Sequence, residues 1–129
     1  MNRKLTLIAF IIFALAISLG AFGAHALKKL VIIKWQLAFE TAVKYQIYGA
    51  LFLLILSFQP IFSRIQIKRW VLLFLVGLAC FSGSIYGLVV AEITHLDLSF
   101  LGPITPIGGL LMISSILAIG IKYVTNKDD

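Results

Sequence analysis

The stretch from Trp70 to Ala91, WVLLFLVGLACFSGSIYGLVVA, contains no charged residue, and its reading decides the fold. A helix rises about 1.5 Å per residue, so a run of this length crosses the hydrocarbon core of a bilayer, which takes about 20 predominantly apolar residues. Three further uncharged stretches match it: Leu5 to Leu27, Tyr45 to Ser63 and Leu98 to Ile121. None alternates polar and apolar residues over short segments between turns, which excludes membrane β-strands. The reading is therefore an all-α membrane protein with four transmembrane helices, at about 5–26, 45–63, 70–91 and 106–123, forming one domain over residues 1–129.

Composition points the same way. Of 129 residues, 61% are hydrophobic and only 12% charged, and the mean hydropathy is +1.08. A soluble domain is about half apolar and a quarter charged, and one this small cannot hide so much apolar surface. Four spans leave only short connections and no room for a separate catalytic domain. The one cysteine, Cys80, lies in an apolar run, which excludes an intramolecular disulfide and a cysteine-based metal site. The net charge is +6, and the basic residues cluster at the ends of apolar runs. Orientation and anionic lipid headgroups explain that distribution better than nucleic acid does.

Threading four helices places Arg3, Lys4, Arg64, Lys68, Arg69, Lys122 and Lys127 on one side and Lys28, Lys29, Lys34 and Lys44 on the other. The excess of basic residues marks the cytoplasmic side, so both termini are expected there. Trp70 and Tyr123 suit an aromatic belt on that face. Asn2, Arg3 and Lys4, followed by an apolar run and Ala24-His25-Ala26, imitate a secretory signal, but the run is longer than a signal core and is read as a retained first helix.

Two connections carry information. Trp35, Phe39, Val43 and Ile47 recur at i, i+4, with Gln36, Glu40 and Lys44 on an adjacent stripe, which describes an amphipathic helix. Two readings fit: a short interfacial segment between the first and second spans, with Glu40 and Lys44 paired and a bend at Gly49, or one long tilted second helix starting near Trp35. In the other connection Gly102, Pro103 and Pro106 oppose a regular helix, so the fourth helix is expected to start near Pro106, with proline in its first turn. Residues 125–129 are polar and read as a frayed end.

Small residues recur every four positions on two helices: Ala16, Gly20 and Ala24, with Gly23 adjacent, and Ala79, Gly83, Gly87 and Ala91. Such stripes let helix backbones approach closely in lipid. They are read as packing within the monomer, with a homo-oligomer interface as the rival, and a large side chain at Gly83 or Gly87 is expected to force helices apart. Ser82 and Ser84 are expected to bond to carbonyls one turn back or on a neighbouring helix.

The candidate polar cluster is His25, Glu40, Lys44, Tyr45, Gln46 and Thr105, with Thr41 beside it. Glu40 leads, because a charge at membrane depth is costly without a partner. It reads either as an anchor for Lys44 or His25, or as part of a transport path. Glu92, His95 and Asp97 read as an ordinary polar connection. No phosphate loop, HExxH pair or nucleophile elbow is present. No catalytic residue, cofactor or metal site is assigned, and the spacing of His25, Glu40 and His95 does not favour a metal.

Four motifs in order, Gly20-Ala-Phe-Gly-Ala-His25-Ala-Leu27, Phe39-Glu-Thr-Ala-Val-Lys-Tyr45-Gln-Ile-Tyr48, Phe81-Ser-Gly-Ser-Ile-Tyr86 and Gly102-Pro-Ile-Thr-Pro-Ile-Gly-Gly109, resemble those of the small bacterial inner-membrane proteins of domain of unknown function 423. The resemblance covers nearly the whole chain. It implies a four-helix plasma-membrane protein and no established activity. The family pattern often has histidine after the Tyr-Gln-x-Tyr element, where this chain has Gly49. The functional expectation is a non-enzymatic role in membrane integrity or partner assembly, with lipids and a second copy as partners. The alternatives are a small transporter or channel around Glu40 and His25, and a lipid or quinone site beneath the amphipathic segment.

Overall fold

A computed structural model describes residues 1–60 and 65–125. Arg64 and Lys127 of the charge count, the end of the 45–63 run and residues 126–129 of the polar tail lie outside the described residues. Within them the chain is helical and contains no strand: α1 is Arg3–His25, α2 Ile33–Ser57, α3 Ile65–Thr94 and α4 Ile104–Thr125, with 3-10 turns at Leu27–Lys29 and Ser99–Leu101. All four α-helices are long and apolar enough to cross a membrane.

Local chemistry sets the helix ends. The Asn2 side chain accepts from the Leu5 N–H at 3.0 Å and caps α1. The Asn2 N–H donates to the Ser57 carbonyl at 2.7 Å and the Thr6 hydroxyl to Ser57 Oγ at 3.0 Å, which fixes the start of α1 to the end of α2. The α2 helix stops at Ser57, shortly before Pro60, which disfavours helical backbone in the residue preceding it. At the end of α3, His95 takes the left-handed conformation with φ 56°, and the Leu96 N–H reaches back to the Ala91 carbonyl at 3.2 Å, closing the last turn. Pro106 sits in the first turn of α4, where no intrahelical partner is needed for its missing N–H.

Of the two readings of residues 35–44, the structure has the continuous one. The α2 helix runs unbroken from Ile33, and only the 3-10 turn lies between it and α1. Gly49 is no bend. It is a close approach instead, since a Cβ there would lie 2.7 Å from a Leu78 methyl. The helices also extend beyond the uncharged runs, because long charged side chains such as Lys34 and Arg69 can ride on the ends of a span with their heads in the interface.

The main contacts join α1 to α2, α2 to α3 and α3 to α4. One apolar cluster, including Leu5, Leu53, Leu56, Ile67, Val71, Phe74 and Met112, fills the end nearer the amino terminus. A second, of Leu27, Val31, Phe39, Val43 and Val89, fills the opposite end. Outward-facing Leu7, Leu15, Leu72, Leu110 and Leu117 are more than half exposed, as lipid contact requires.

The tightest crossing joins α3 and α4. A Cβ on Gly77 would lie 2.9 Å from the Gly108 carbonyl oxygen, and one on Gly108 would lie 2.5 Å from the Phe81 nitrogen. Backbone meets backbone there, which only glycine permits.

Candidate functional site

Between the two apolar clusters lies a layer of polar side chains. Gln46 is buried near the middle of α2. Its Nε2 donates to the Ile12 carbonyl of α1 at 3.0 Å, and its Oε1 accepts from the Tyr86 hydroxyl of α3 at 2.6 Å. One amide thus ties three helices together. One turn before Gln46, the Ala42 carbonyl accepts from the Ser82 hydroxyl at 2.8 Å. Ser84 and Thr105 share a hydrogen bond between α3 and α4. Tyr86 is further held against Phe39, with ring centroids 5.1 Å apart. Among the described residues no buried side-chain nitrogen or oxygen lacks a partner. Interhelical bonds of this kind contribute about 0.6 kcal/mol each on average and up to about 1.7.

The structure separates the sequence's polar candidates. Gln46 and Thr105 belong to the fastening layer, in different bonds. His25 is exposed at the last residue of α1, and Glu40 and Lys44 are exposed on the first half of α2. No ion pair links Glu40 with Lys44 or His25 among the described residues. With Gly23, Ala24 and Phe39, Glu40 and Lys44 border a recess of about 180 Å³. Thr41 bonds back to the Leu37 carbonyl of its own helix at 3.0 Å. Tyr45 lies on the opposite side of α2 from this recess, against Phe81.

The small-residue stripes divide in a similar way. Ala16 is fully buried, and Gly20 and Gly23 face Val43 and Phe39 of α2, whereas Ala24 is exposed. On α3, Ala91 is buried and Gly87 faces Leu101, but Ala79 and Gly83 are exposed, and a Cβ on Gly83 would meet nothing within 4 Å. Gly83 therefore separates no helices. It and Ala79 instead form part of the wall of a groove of about 360 Å³ beside Ile12, Gln46 and Tyr86. The glycines at the tight crossing, Gly77 and Gly108, lie outside both stripes. Their signal is a spacing of seven, Gly77 to Ser84 on α3 and Gly108 to Ser115 on α4, the period of gently supercoiled helix pairs.

A second groove, of about 440 Å³, opens between α2, α3 and α4 and is lined chiefly by Tyr45, Tyr48, Phe52, Phe74, Phe81 and Met112. A third recess, of about 520 Å³, lies at the α3–α4 connection and includes Trp35, Glu92, His95 and Asp97. Hydrogen bonds from the Ser99 side chain and backbone hold the Asp97 carboxyl below the ordinary carboxylate range. Among the described residues no three of His, Cys, Asp and Glu converge.

Comparison with known proteins places this architecture. A family model described as "Protein of unknown function (DUF423)" matches residues 19–109, well over half of the chain. The chain belongs to the DUF423 family. Relatives include the UPF0382 membrane protein YwdK of Bacillus subtilis, 37% identical over 117 residues, covering 85% of this chain and 89% of that protein. A UPF0382 membrane protein of Haemophilus influenzae is 32% identical, covering 87% and 86% of the two chains. One from Schizosaccharomyces pombe is 37% identical, covering 78% and 84%, so this DUF423 family extends beyond bacteria. No solved structure matches the chain. The chain is thus a DUF423 membrane protein, and all four motifs quoted above fall within the matched region or reach its last residue.

Proposed function

We propose that this DUF423 protein acts without catalysis, by association within the bacterial cytoplasmic membrane, and that it supports membrane integrity or the assembly of a partner. The observation that carries the reading is the use of Gln46, Tyr86, Ser82, Ser84 and Thr105 in bonds that join one helix to another. A permeation path needs polar groups turned toward a wetted lumen. Here these groups face one another across helix contacts, and the largest side chains on the outer surfaces of the helices are apolar, with Glu40 and Lys44 set beside a small recess. Lipids are the first partners of such a surface. A second copy of the chain is a candidate for the groove beside Ala79 and Gly83, where small side chains allow close approach. Both termini are assigned to the cytoplasm on the distribution of lysine and arginine.

Flux measurements on purified protein in liposomes test the reading. The expected result is no cation or proton flux, either in the parent or in Glu40→Gln. Flux present in the parent and absent in Glu40→Gln would overturn it in favour of a transporter.

A further inference from the structure

The groove between α2, α3 and α4 presents two hydroxyl donors that the helix-to-helix bonds leave unused. Tyr45 is the middle residue of the 25-residue α2, and Tyr48 follows three positions on. At about 1.5 Å per residue Tyr45 is roughly 18 Å from either end of the helix, deep within the span, on the side of α2 away from the exposed Lys44, whose long side chain can carry its charge toward the interface. The two rings touch edge to face at 5.8 Å, and Tyr45 lies against Phe81 at 4.9 Å. They are 44% and 59% exposed. Neither hydroxyl has a hydrogen-bond partner among the described residues. Tyr86 shows the contrast, because its hydroxyl is engaged by Gln46.

A hydroxyl at this depth has no water to bond, and an unmet donor in hydrocarbon is unfavourable. Phospholipid does not supply the acceptor. Its ester and phosphate oxygens stay at the interface, and only methylene and methyl groups reach the midplane. The matching molecule is apolar enough to dissolve in hydrocarbon and carries carbonyl oxygens on a compact ring. Phe52, Phe74 and Phe81 offer faces and edges to a flat ring, and Met112 offers a polarisable sulfur. The volume of about 440 Å³ falls in the range of small-molecule sites, about 300–1,000 Å³. No charged side chain lines the groove, which turns away anionic ligands.

We propose that this groove binds a prenylated quinone, with a ring carbonyl accepting from Tyr45 or Tyr48 and the isoprenoid tail passing along Ile113 and Ile116 into lipid. The inference is about binding alone and does not depend on which partner the chain associates with.

The test measures retention of a tritiated ubiquinone with one isoprene unit by the protein in phosphatidylcholine nanodiscs, against protein-free nanodiscs. The expected result is saturable retention of one quinone per chain. It weakens roughly tenfold in the double variant Tyr45→Phe, Tyr48→Phe, which keeps both rings and loses only the donors. In Gly109→Leu, whose new side chain enters the groove beside the Phe81 ring, retention falls to the protein-free level. Circular dichroism and gel-filtration elution matching the parent establish that the variants are folded. Retention no greater than in protein-free nanodiscs overturns the proposal. So does saturable retention that neither change affects, which puts the quinone elsewhere. Retention lost in Gly109→Leu but unchanged in the double phenylalanine variant also overturns it, because the groove then accepts any apolar chain.

Discussion

Gln46 and Glu40 stand less than two turns apart on α2, yet their surroundings differ completely. The Gln46 amide is buried and bonded to α1 and α3, while the Glu40 carboxylate is exposed and has no partner among the described residues. Removing a charge from an exposed position away from special contacts usually changes stability by no more than about 0.5 kcal/mol. Glu40→Gln is accordingly expected to unfold at the same denaturant concentration as the parent in mixed micelles, within that margin. A loss above about 1 kcal/mol would show that the carboxylate anchors something. Asp97 gives a pH-dependent counterpart. Its folded value is depressed by Ser99, so the stabilisation is present above the unfolded value of about 4 and is lost as pH falls through the folded value. Asp97→Asn should therefore leave stability independent of this group in acid, while the parent alone weakens below about pH 4. An identical acid profile in both would remove Ser99 from the account.

Among the elements, the α3–α4 pair is the most demanding. Gly77 and Gly108 bring main chains together, so Gly108→Leu has only backbone atoms to displace. Overpacking in well-packed interiors costs about 1–3 kcal/mol where side chains can shift, and more is expected here. Gly83 faces open space, so Gly83→Ala should be neutral or stabilise by up to about 1 kcal/mol through reduced backbone freedom in the unfolded chain. Unfolding titrations of the two variants check the contrast, and a Gly108→Leu variant as stable as the parent would mean that this crossing is not formed. The four-residue stripes led the sequence reading to Gly83, because spacing shows that small residues share a face but not which face meets a helix. Ala16, Gly20 and Gly23 share a face that meets α2, and Ala79 and Gly83 share one that does not. Helix bounds were legible only to the first charge, since Lys34, Glu40 and Lys44 continue α2 on its exposed side.

At the scale of the molecule, four spans were legible because each is a long uncharged run, and hydropathy needs no knowledge of neighbours. The fastening layer was only half legible. Gln46 was marked by its polarity inside an apolar run, but its pairing with Tyr86 depends on the register between α2 and α3, which periodicity within one helix does not contain. Orientation has its own test. With Cys80 replaced by serine, a cysteine at Gln66 should resist impermeant reagent in intact cells, and cysteines at Lys34 and Asp97 should react. Labelling of position 66 from outside would reverse the assignment.

The central claim is that polar groups within the spans fasten helices to one another, and the Gln46–Tyr86 bond is its clearest instance. A double-mutant cycle of Gln46→Leu and Tyr86→Phe, read by reversible unfolding in mixed micelles, measures that bond directly. The account expects a favourable coupling of about 0.6–1.7 kcal/mol, with both single variants less stable than the parent. Additive effects with no coupling would contradict it.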